Sequence, residues 1–411
     1  MVRTPMQIVF LTGNLEPGRD GVGDYTRNLA SACMTLGVSC ALLALNDRHV
    51  NRHLEESQSC NGQALACLRL PATDSWSSRL RAAGRWLDAK ACEWISLQFV
   101  PYGYHRKGLI GDLGRRLAPL TQGRATHIML HELWIGMERA APLRQRVLGS
   151  MQRQAVLKML RQLTPAIAHT SNPAYGQLVA THGVSTKLLP LFGNVPIQPC
   201  PEVDWLGGEL RRHGVPAART SDRNRQWRFG LFGTIHPVWS PEPLFTLLEQ
   251  AATQARRDVI IASIGRRGSG AQSWQALQHR YGHRFLFATL DERSISEISW
   301  FLQGIDVGIA TTPWQLIGKS GTAATMLEHG LPVIVSRDDV DYGLGALEPD
   351  SPLLRRMDAE LPQWLPLLRR APPRHRLMEV AAQFIADLRS SANASTAAEA
   401  PTTPHRASTA A

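Results

Sequence analysis

Short apolar runs that end in glycine-rich or polar turns recur along this chain in two successive series. A run such as Gln7–Thr12 is apolar on both faces and too short for a buried helix. That is the pattern of a parallel strand whose sheet is covered by helices on both sides. The first series continues at 39–44, Trp94–Phe99, 125–132, 166–169 and 187–190. The second runs through 229–234, 259–265, 285–288, 306–310 and Val333–Val335. Strands alternating with amphipathic helices dictate an α/β fold, and two such series imply two doubly wound Rossmann-like domains facing each other across a cleft. The expected organisation is a first domain over 1–198, a polar linker over 199–226 and a second domain over 227–389 with a helix near 377–388. A disordered tail is expected over 390–411, which is almost all Ala, Ser, Thr and Pro and cannot offset the entropy of ordering. Residues 45–90 give no clear pattern.

The chain has 411 residues, 44% of them hydrophobic, enough for two cores. Lysine and arginine number 45 against 34 acids, a net charge of +11. Such a surplus points to an anionic partner, either a nucleotide-bearing substrate or an anionic membrane surface. No nucleic-acid-binding motif is present, so no nucleic-acid partner is expected. Basic stretches at 105–124 and 142–162 can be read as membrane-facing helices or as solvated faces. The six cysteines form no CxxC pair and read as free thiols. The N-terminus reads as a strand rather than a signal peptide, and no apolar run reaches membrane-span length. A cytoplasmic protein, peripheral to a membrane at most, is expected.

Three places can carry chemistry. The stretch from Gly318 to Val335 reads as loop, helix, turn and buried strand. Its Gly-Lys-Ser-Gly opening offers a cation, Lys319, and backbone N–H groups at a helix N-terminus, where anions bind. The glycine spacing is not that of a P-loop, and an ordinary helix cap is the other reading. The loop after the first strand carries Gly21 and Gly23 and leads into a helix opened by Asp24 and Tyr25. It either lets a ligand approach the sheet closely or is a flexible surface loop; its spacing is not the dinucleotide fingerprint. His131 and Glu132 end the strand beginning at 125, at the ligand-crevice end of the sheet, where His131 can exchange a proton or hold a hydroxyl; Glu132 alternates with it and can face the other way, and a hydrogen-bonded structural pair is the other reading.

In their order and spacing these parts resemble the retaining GT-B glycosyltransferases, the nucleotide-sugar-dependent group often called glycosyl transferase group 1. The likeness covers about residues 6–340. It is carried by Gly21-Val22-Gly23-Asp24-Tyr25, His131-Glu132, Phe232-Gly233-Thr234 and Asp306-Val307-Gly308-Ile309-Ala310 with the loop and helix that follow. The resemblance implies that the second domain binds a nucleotide-diphosphate sugar and the first a glycan or lipid-linked acceptor, as in bacterial surface polysaccharide assembly. Lys319 and the N–H groups of Ser320, Gly321 and Thr322 would stabilise the leaving diphosphate with no metal and no other cofactor. Gly233, Thr234, Thr325 and Arg266 or Arg267 would add donor contacts, and residues 288–293 would meet the base. Gly21, Gly23, Asp24, Tyr25 and Glu132 would complete the cleft, with His131 on the transferred sugar. Same-face attack, as in the family, needs no enzymic nucleophile.

The chain also departs from the family. A pair of glutamates commonly flanks the phosphate loop; aligned on Gly330-Leu331-Pro332, those positions hold Ile317 and Thr325, and Glu328 lies about a turn further on. The basic pair expected after Gly233 is replaced by Thr234-Ile235-His236-Pro237. These departures motivate a second reading, a catalytically silent GT-B-like binding or scaffolding subunit. A third, a nucleotide-sugar epimerase, requires an acid/base carboxylate set in the cleft.

Overall fold

A computed structural model describes residues 6–398 except 202, 221, 267 and 346–350. Among these residues eight strands form one sheet and six another. The first sheet comprises β1 (Gln7–Thr12), β2 (Ser39–Asp47), β3 (Leu54–Cys60), β4 (Gln63–Pro71), β5 (Trp94–Phe99), β6 (Ala125–Leu130), β7 (Ile167–Thr170) and β8 (Lys187–Leu188). Their order is β3-β4-β2-β1-β5-β6-β7-β8, parallel except for the β3–β4 hairpin. That hairpin and the helix after it fill the stretch the sequence left unread; Asn61 and Gly62, both at positive φ, make its two-residue turn. Helices α1 (Gly21–Thr35), α2 (Trp76–Ala89), α3 (Pro101–Tyr104), α4 (Leu113–Thr121), α5 (Leu143–Leu163) and α6 (Pro173–Ala180) surround this sheet.

The second domain begins earlier than expected. Helices α7 (Trp205–Arg212) and α8 (Ala217–Thr220) occupy the stretch read as a linker. Leu206 and Leu210, one turn apart, bury against Ile260, Phe301 and Leu302, while Gly208, Arg211 and Arg212 face outward. The polar outer face masked a short amphipathic helix. Asp204 anchors it by holding the buried Arg228 guanidinium at 2.9 and 2.8 Å. The second sheet is parallel throughout, ordered β11-β10-β9-β12-β13-β14. Its strands are β9 (Gln226–Phe232), β10 (Asp258–Ile264), β11 (Leu286–Thr289), β12 (Val307–Ala310), β13 (Val333–Val335) and β14 (Leu354–Arg356). Its helices are α9 (Glu242–Ala255), α10 (Ala271–Tyr281), α11 (Ile295–Gly304), α12 (Gly321–Glu328) and α13 (Leu361–Trp364). Two apolar layers cover the two faces of each sheet. The six cysteines are unpaired, and among the described residues no helix is long and apolar enough to cross a membrane.

The chain crosses between domains twice. After Phe192 it leaves the first core, and Gln198 N–H bonds Ser299 Oγ at 2.9 Å in the second domain. It returns through 370–376, where half-buried Arg370 donates to the carbonyls of Leu302, Gln303 and His329 at the ends of α11 and α12. The last helix, α14 (Leu377–Ala398), packs on α1 and β7 of the first domain. Val380, Ala381, Phe384, Ile385 and Leu388 complete the first core, with the Phe384 ring 5.8 Å from that of Phe10. This corrects two expectations: 377–389 belongs to the first domain, and helix continues through 390–398. The rest of the expected disordered tail, 399–411, lies outside the described residues, as does Arg267.

Both crossings meet α12. Glu328, its last residue, is 3% exposed, and its Oε1 accepts Arg376 N–H at 3.2 Å. Its Oε2 lies 3.3 Å from His375 Nδ1 without a hydrogen bond to it. Burial pushes the carboxyl up to about 7, against the opposing pull of the Gly193 and Arg376 N–H groups. A carboxyl raised in the folded state favours folding below its unfolded value near 4.5, and that advantage is lost as pH rises through about 7. Relative to Glu328→Gln, the wild type is therefore expected to lose about 2–3 kcal/mol of stability between pH 5 and pH 8 in urea titrations. Parallel stability curves for the two proteins would show that Glu328 carries no such penalty.

Candidate functional site

In open α/β sheets a ligand crevice forms outside the carboxyl ends of the strands, where the strand order reverses. The first sheet reverses between β1 and β5 and the second between β9 and β12, and the loops after β1, β5 and β12 meet in the gap between the domains. The gap holds an open cavity of about 560 Å³, lined mostly by the first domain and by Lys319 and Gly321 of the second. A larger hollow of about 700 Å³ sits at the opposite, amino end of β10, away from both crevices.

The β1–α1 loop is fixed, which removes the flexible-loop reading. Asp47, fully buried, accepts Leu15 N–H at 3.2 Å and pairs with Arg69 at 2.8 Å. Buried Arg27 donates to the Leu15 carbonyl at 2.8 Å and pairs with Asp24. Helix α1 starts at Gly21, three residues before the expected position, because the Asp20 carboxylate caps it by accepting Val22 N–H at 3.1 Å. Gly21 lines the cavity. Gly23 and Asp24 do not. A Cβ on Gly23 would come within 2.9 Å of the Asn14 carbonyl, so Gly23 seats the helix on the loop. Asp24 accepts Gly18 N–H at 3.0 Å and braces it. Tyr25 lines the cavity, stacked on Phe192 at 4.6 Å with its edge towards His131 at 4.9 Å. Its hydroxyl is buried without a hydrogen-bond partner among the described residues.

β6 ends at Leu130 and delivers His131 to the cavity. His131 is 9% exposed, its Nε2 bonds Gln98 Oε1 at 2.9 Å, and burial pulls its pKa down to about 3. The imidazole is therefore neutral at physiological pH and acts as a hydrogen-bonding group rather than a cation. Glu132, the next residue, reaches across the gap to Lys319, with Oε1 3.2 Å from Nζ. Lys319 Nζ also stands 5.7 Å over the Tyr175 ring. The lysine expected to be open for an anion is thus paired in this state. The pair is partly exposed, and such pairs contribute about 0–1 kcal/mol, little resistance to an incoming dianion.

Lys319 ends a 3-10 turn, Trp314–Lys319, that packs on α6 and presents the amino end of α12 to the first domain. Two expected phosphate contacts are committed elsewhere. Ser320 N–H bonds the Ile317 carbonyl at 3.0 Å, and Ser320 Oγ caps α12 by accepting Ala323 N–H at 3.3 Å. Thr325 is 1% exposed, its Oγ1 donating back to the Gly321 carbonyl at 2.8 Å and its Cα lying against Gly193. The N–H groups of Gly321 and Thr322 precede the first intrahelical bond, Ala324 N–H to the Ser320 carbonyl, and space around Gly321 is open. Gly233, at φ +79°, brings the β9 loop against Thr322 but does not itself line the cavity. Thr234 is exposed beside Gly268 and does not line the cavity. Arg266 is exposed outside it, paired with Glu292 at 2.8 Å.

Sequence reasoning missed Asp20, Arg19 and Gln98, all in the cavity wall. Burial raises the Asp20 carboxyl above its ordinary range. The signal for Asp20 was present, an Asp just before a glycine-opened helix; that for Gln98 was an amide inside an otherwise apolar strand.

No protein-family profile matches the chain, and no curated protein sequence resembles it. Solved structures do. The chain is similar to α,α-trehalose 6-phosphate synthase from Burkholderia multivorans, with 12% identity and TM-score 0.51 over 97% of this chain and 99% of that one. It is similar to the catalytic domain of starch synthase IV from Arabidopsis thaliana bound to ADP and acarbose, at 10% identity and TM-score 0.50 over 96% and 98%. A trehalose-6-phosphate structure from E. coli bound with UDP-2-fluoro glucose gives 11% identity and TM-score 0.50 over 93% and 95%. At these identities the likeness is one of fold: two parallel-sheet domains in the GT-B arrangement.

Proposed function

We propose that this chain is a glycosyltransferase that moves a sugar from a nucleotide-diphosphate donor to a glycan or lipid-linked acceptor, with retention and without a metal. The observation that carries this reading is the amino end of α12, with Gly321 opening into the interdomain cavity opposite His131. A diphosphate gains charge as the glycosidic bond breaks. The Gly321 and Thr322 N–H groups and the positive end of the helix dipole stabilise that charge more in the transition state than in the bound donor. Lys319 adds its charge by exchanging Glu132 for phosphate, which frees Glu132 in the acceptor half of the cleft. Neutral His131 holds a hydroxyl of the transferred sugar. The ADP and UDP-2-fluoro glucose in the similar structures support a nucleotide-linked donor.

The committed Thr325 and Ser320 favour one second reading, a GT-B-like subunit that binds a nucleotide without transfer. Calorimetry with UDP, GDP and ADP tests the shared part. The wild type is expected to bind at least one, and Lys319→Ala to bind it about tenfold more weakly, the equivalent of one charge-assisted contact. Equal affinity in both proteins removes Lys319 from the site, and no binding of any nucleoside diphosphate overturns the donor reading. Sugar transfer or donor hydrolysis above background by the purified protein then rules out the silent subunit.

We also propose that the first domain docks on an anionic membrane. Along the exposed face of α5, Leu143, Val147 and Met151 stand one turn apart at 75%, 56% and 53% exposure. Exposed Arg144 and Arg146 lie on the same turns, and the 105–107 loop beside α5 adds exposed Arg106 and Lys107. An apolar stripe framed by cations suits a surface of anionic phospholipid. Co-sedimentation with phosphatidylglycerol-containing vesicles at low salt is expected to fall at least fivefold in Val147→Asp/Met151→Asp. Unchanged binding by the double variant, or none by the wild type, contradicts the docking face.

A further inference from the structure

One face of the first sheet carries polar side chains where its neighbours are apolar. Ser96 and Gln98 on β5, His127 and His131 along and just after β6, and His169 on β7 lie beneath α1 and α14 among Met129, Trp94 and Phe384. Ser96 and His127 are register partners. Ser96, His127 and His169 have no exposure at all, and Gln98 is 1% exposed. Burying so many polar groups is costly unless each is bonded.

They are bonded in one unbroken chain. His131 Nε2 meets Gln98 Oε1 at 2.9 Å, and Gln98 Nε2 donates to Ser96 Oγ at 2.8 Å. Ser96 Oγ meets His127 Nδ1 at 2.8 Å, and His127 Nε2 meets His169 Nδ1 at 3.0 Å. His169 Nε2 reaches Asp387 Oδ2 on α14 at 3.2 Å, and Lys187 holds the other carboxylate oxygen at 2.6 Å. The chain therefore runs from the interdomain cavity through the sheet to the outer helix.

Its direction is determined. Burial works against the charge of Asp387, but hydrogen bonds from Lys187 and His169 outweigh it and keep the carboxyl below its ordinary range. A carboxylate only accepts, so His169 must donate from Nε2. Burial holds His169 and His127 neutral, each with one donor and one acceptor nitrogen. His169 Nδ1 then accepts from His127 Nε2, and His127 Nδ1 accepts from the Ser96 hydroxyl. Ser96 accepts from the Gln98 amide, and Gln98 Oε1 accepts from His131 Nε2. Every link agrees in sense. His131 is left with its proton on Nε2 and a bare lone pair on Nδ1, which makes no hydrogen bond to a described residue.

We infer that Asp387 is a positioning residue that fixes which nitrogen of His131 carries the proton, acting through His169, His127, Ser96 and Gln98. The consequence for catalysis rests on the reading of His131 as a sugar contact: the cavity histidine then accepts a hydrogen bond from a hydroxyl rather than donating one. The C-terminal helix, remote from the cleft, thereby sets the polarity of a group inside it.

Nitrogen-15 NMR of the histidine rings distinguishes the two tautomers and tests this in the full chain at pH 7, without reference to activity or nucleotide binding. The wild type is expected to show His131, His127 and His169 each as a single Nε2–H tautomer. Asp387→Ala removes the terminal acceptor, and both His169 and His131 are expected to become mixtures, with a several-fold rise in the Nδ1–H form. Ser96→Ala cuts the chain midway without touching α14; His131 is then expected to become mixed while His169 remains Nε2–H. An Nδ1–H form at any of the three in the wild type overturns the inference. So does an Asp387→Ala protein in which His169 changes and His131 does not, and if that variant does not fold, an unchanged His131 in Ser96→Ala has the same force.

Discussion

The amino end of α12 faces an interdomain gap, and much of the second half of the chain holds it there. The β9–β12 reversal places the helix beside the Gly233 turn, and the 3-10 turn before it rests on α6 of the first domain. Both chain crossings pass over its body, at Gly193 and at Arg374–Arg376, where Arg374 N–H bonds the Glu328 carbonyl at 2.7 Å. An exposed helix end in water exerts a weak, screened attraction on anions; one facing a low-dielectric cleft exerts a stronger one. Fixing such an end between two lobes places its unpaired N–H groups where both domains can act on a ligand.

The first domain contributes a rigid wall rather than a mobile flap. Arg69, Asp47 and Arg27 pin the glycine-bearing loop from below, and Asp20 starts α1 as soon as the loop ends. The contact of Glu132 with Lys319 then spans the gap from this wall to the amino end of α12. That partly exposed pair is a weak tie between the domains, as is the side-chain contact of Arg139 with Asp341, beside the backbone bond from Arg139 N–H to the Asp341 carbonyl at 2.8 Å.

Much of this was legible in the sequence. The strand runs gave both sheets apart from the β3–β4 hairpin and β14, and Gly321, His131 and Tyr25 line the interdomain cavity. The errors have local causes. Periodicity reports that a helix is amphipathic but not which core takes its apolar face, so α14 was assigned to the domain it follows instead of the one it covers. In α7 two arginines and two glycines outweighed a two-residue apolar face. Ser320 was expected to offer its N–H group and Thr325 stood at an aligned family position, yet the 3-10 turn takes up the Ser320 N–H and the Thr325 hydroxyl bonds its own helix backbone. The partner of Lys319 lies 187 residues away in sequence, beyond the reach of any local pattern.

The polar chain under α14 shows the same limit from the other side. A histidine in each of two strands reads as an ordinary buried residue until the register sets His127 between Ser96 and His169. The most direct measurement on the cleft itself is a crystal structure with a bound nucleoside diphosphate. Phosphate oxygens at about 2.7–3.2 Å from the N–H groups of Gly321 and Thr322, with Lys319 turned from Glu132 to the phosphate, are the expected result. A nucleotide whose phosphates lie away from α12, with Lys319 still on Glu132, would contradict the role given to this helix.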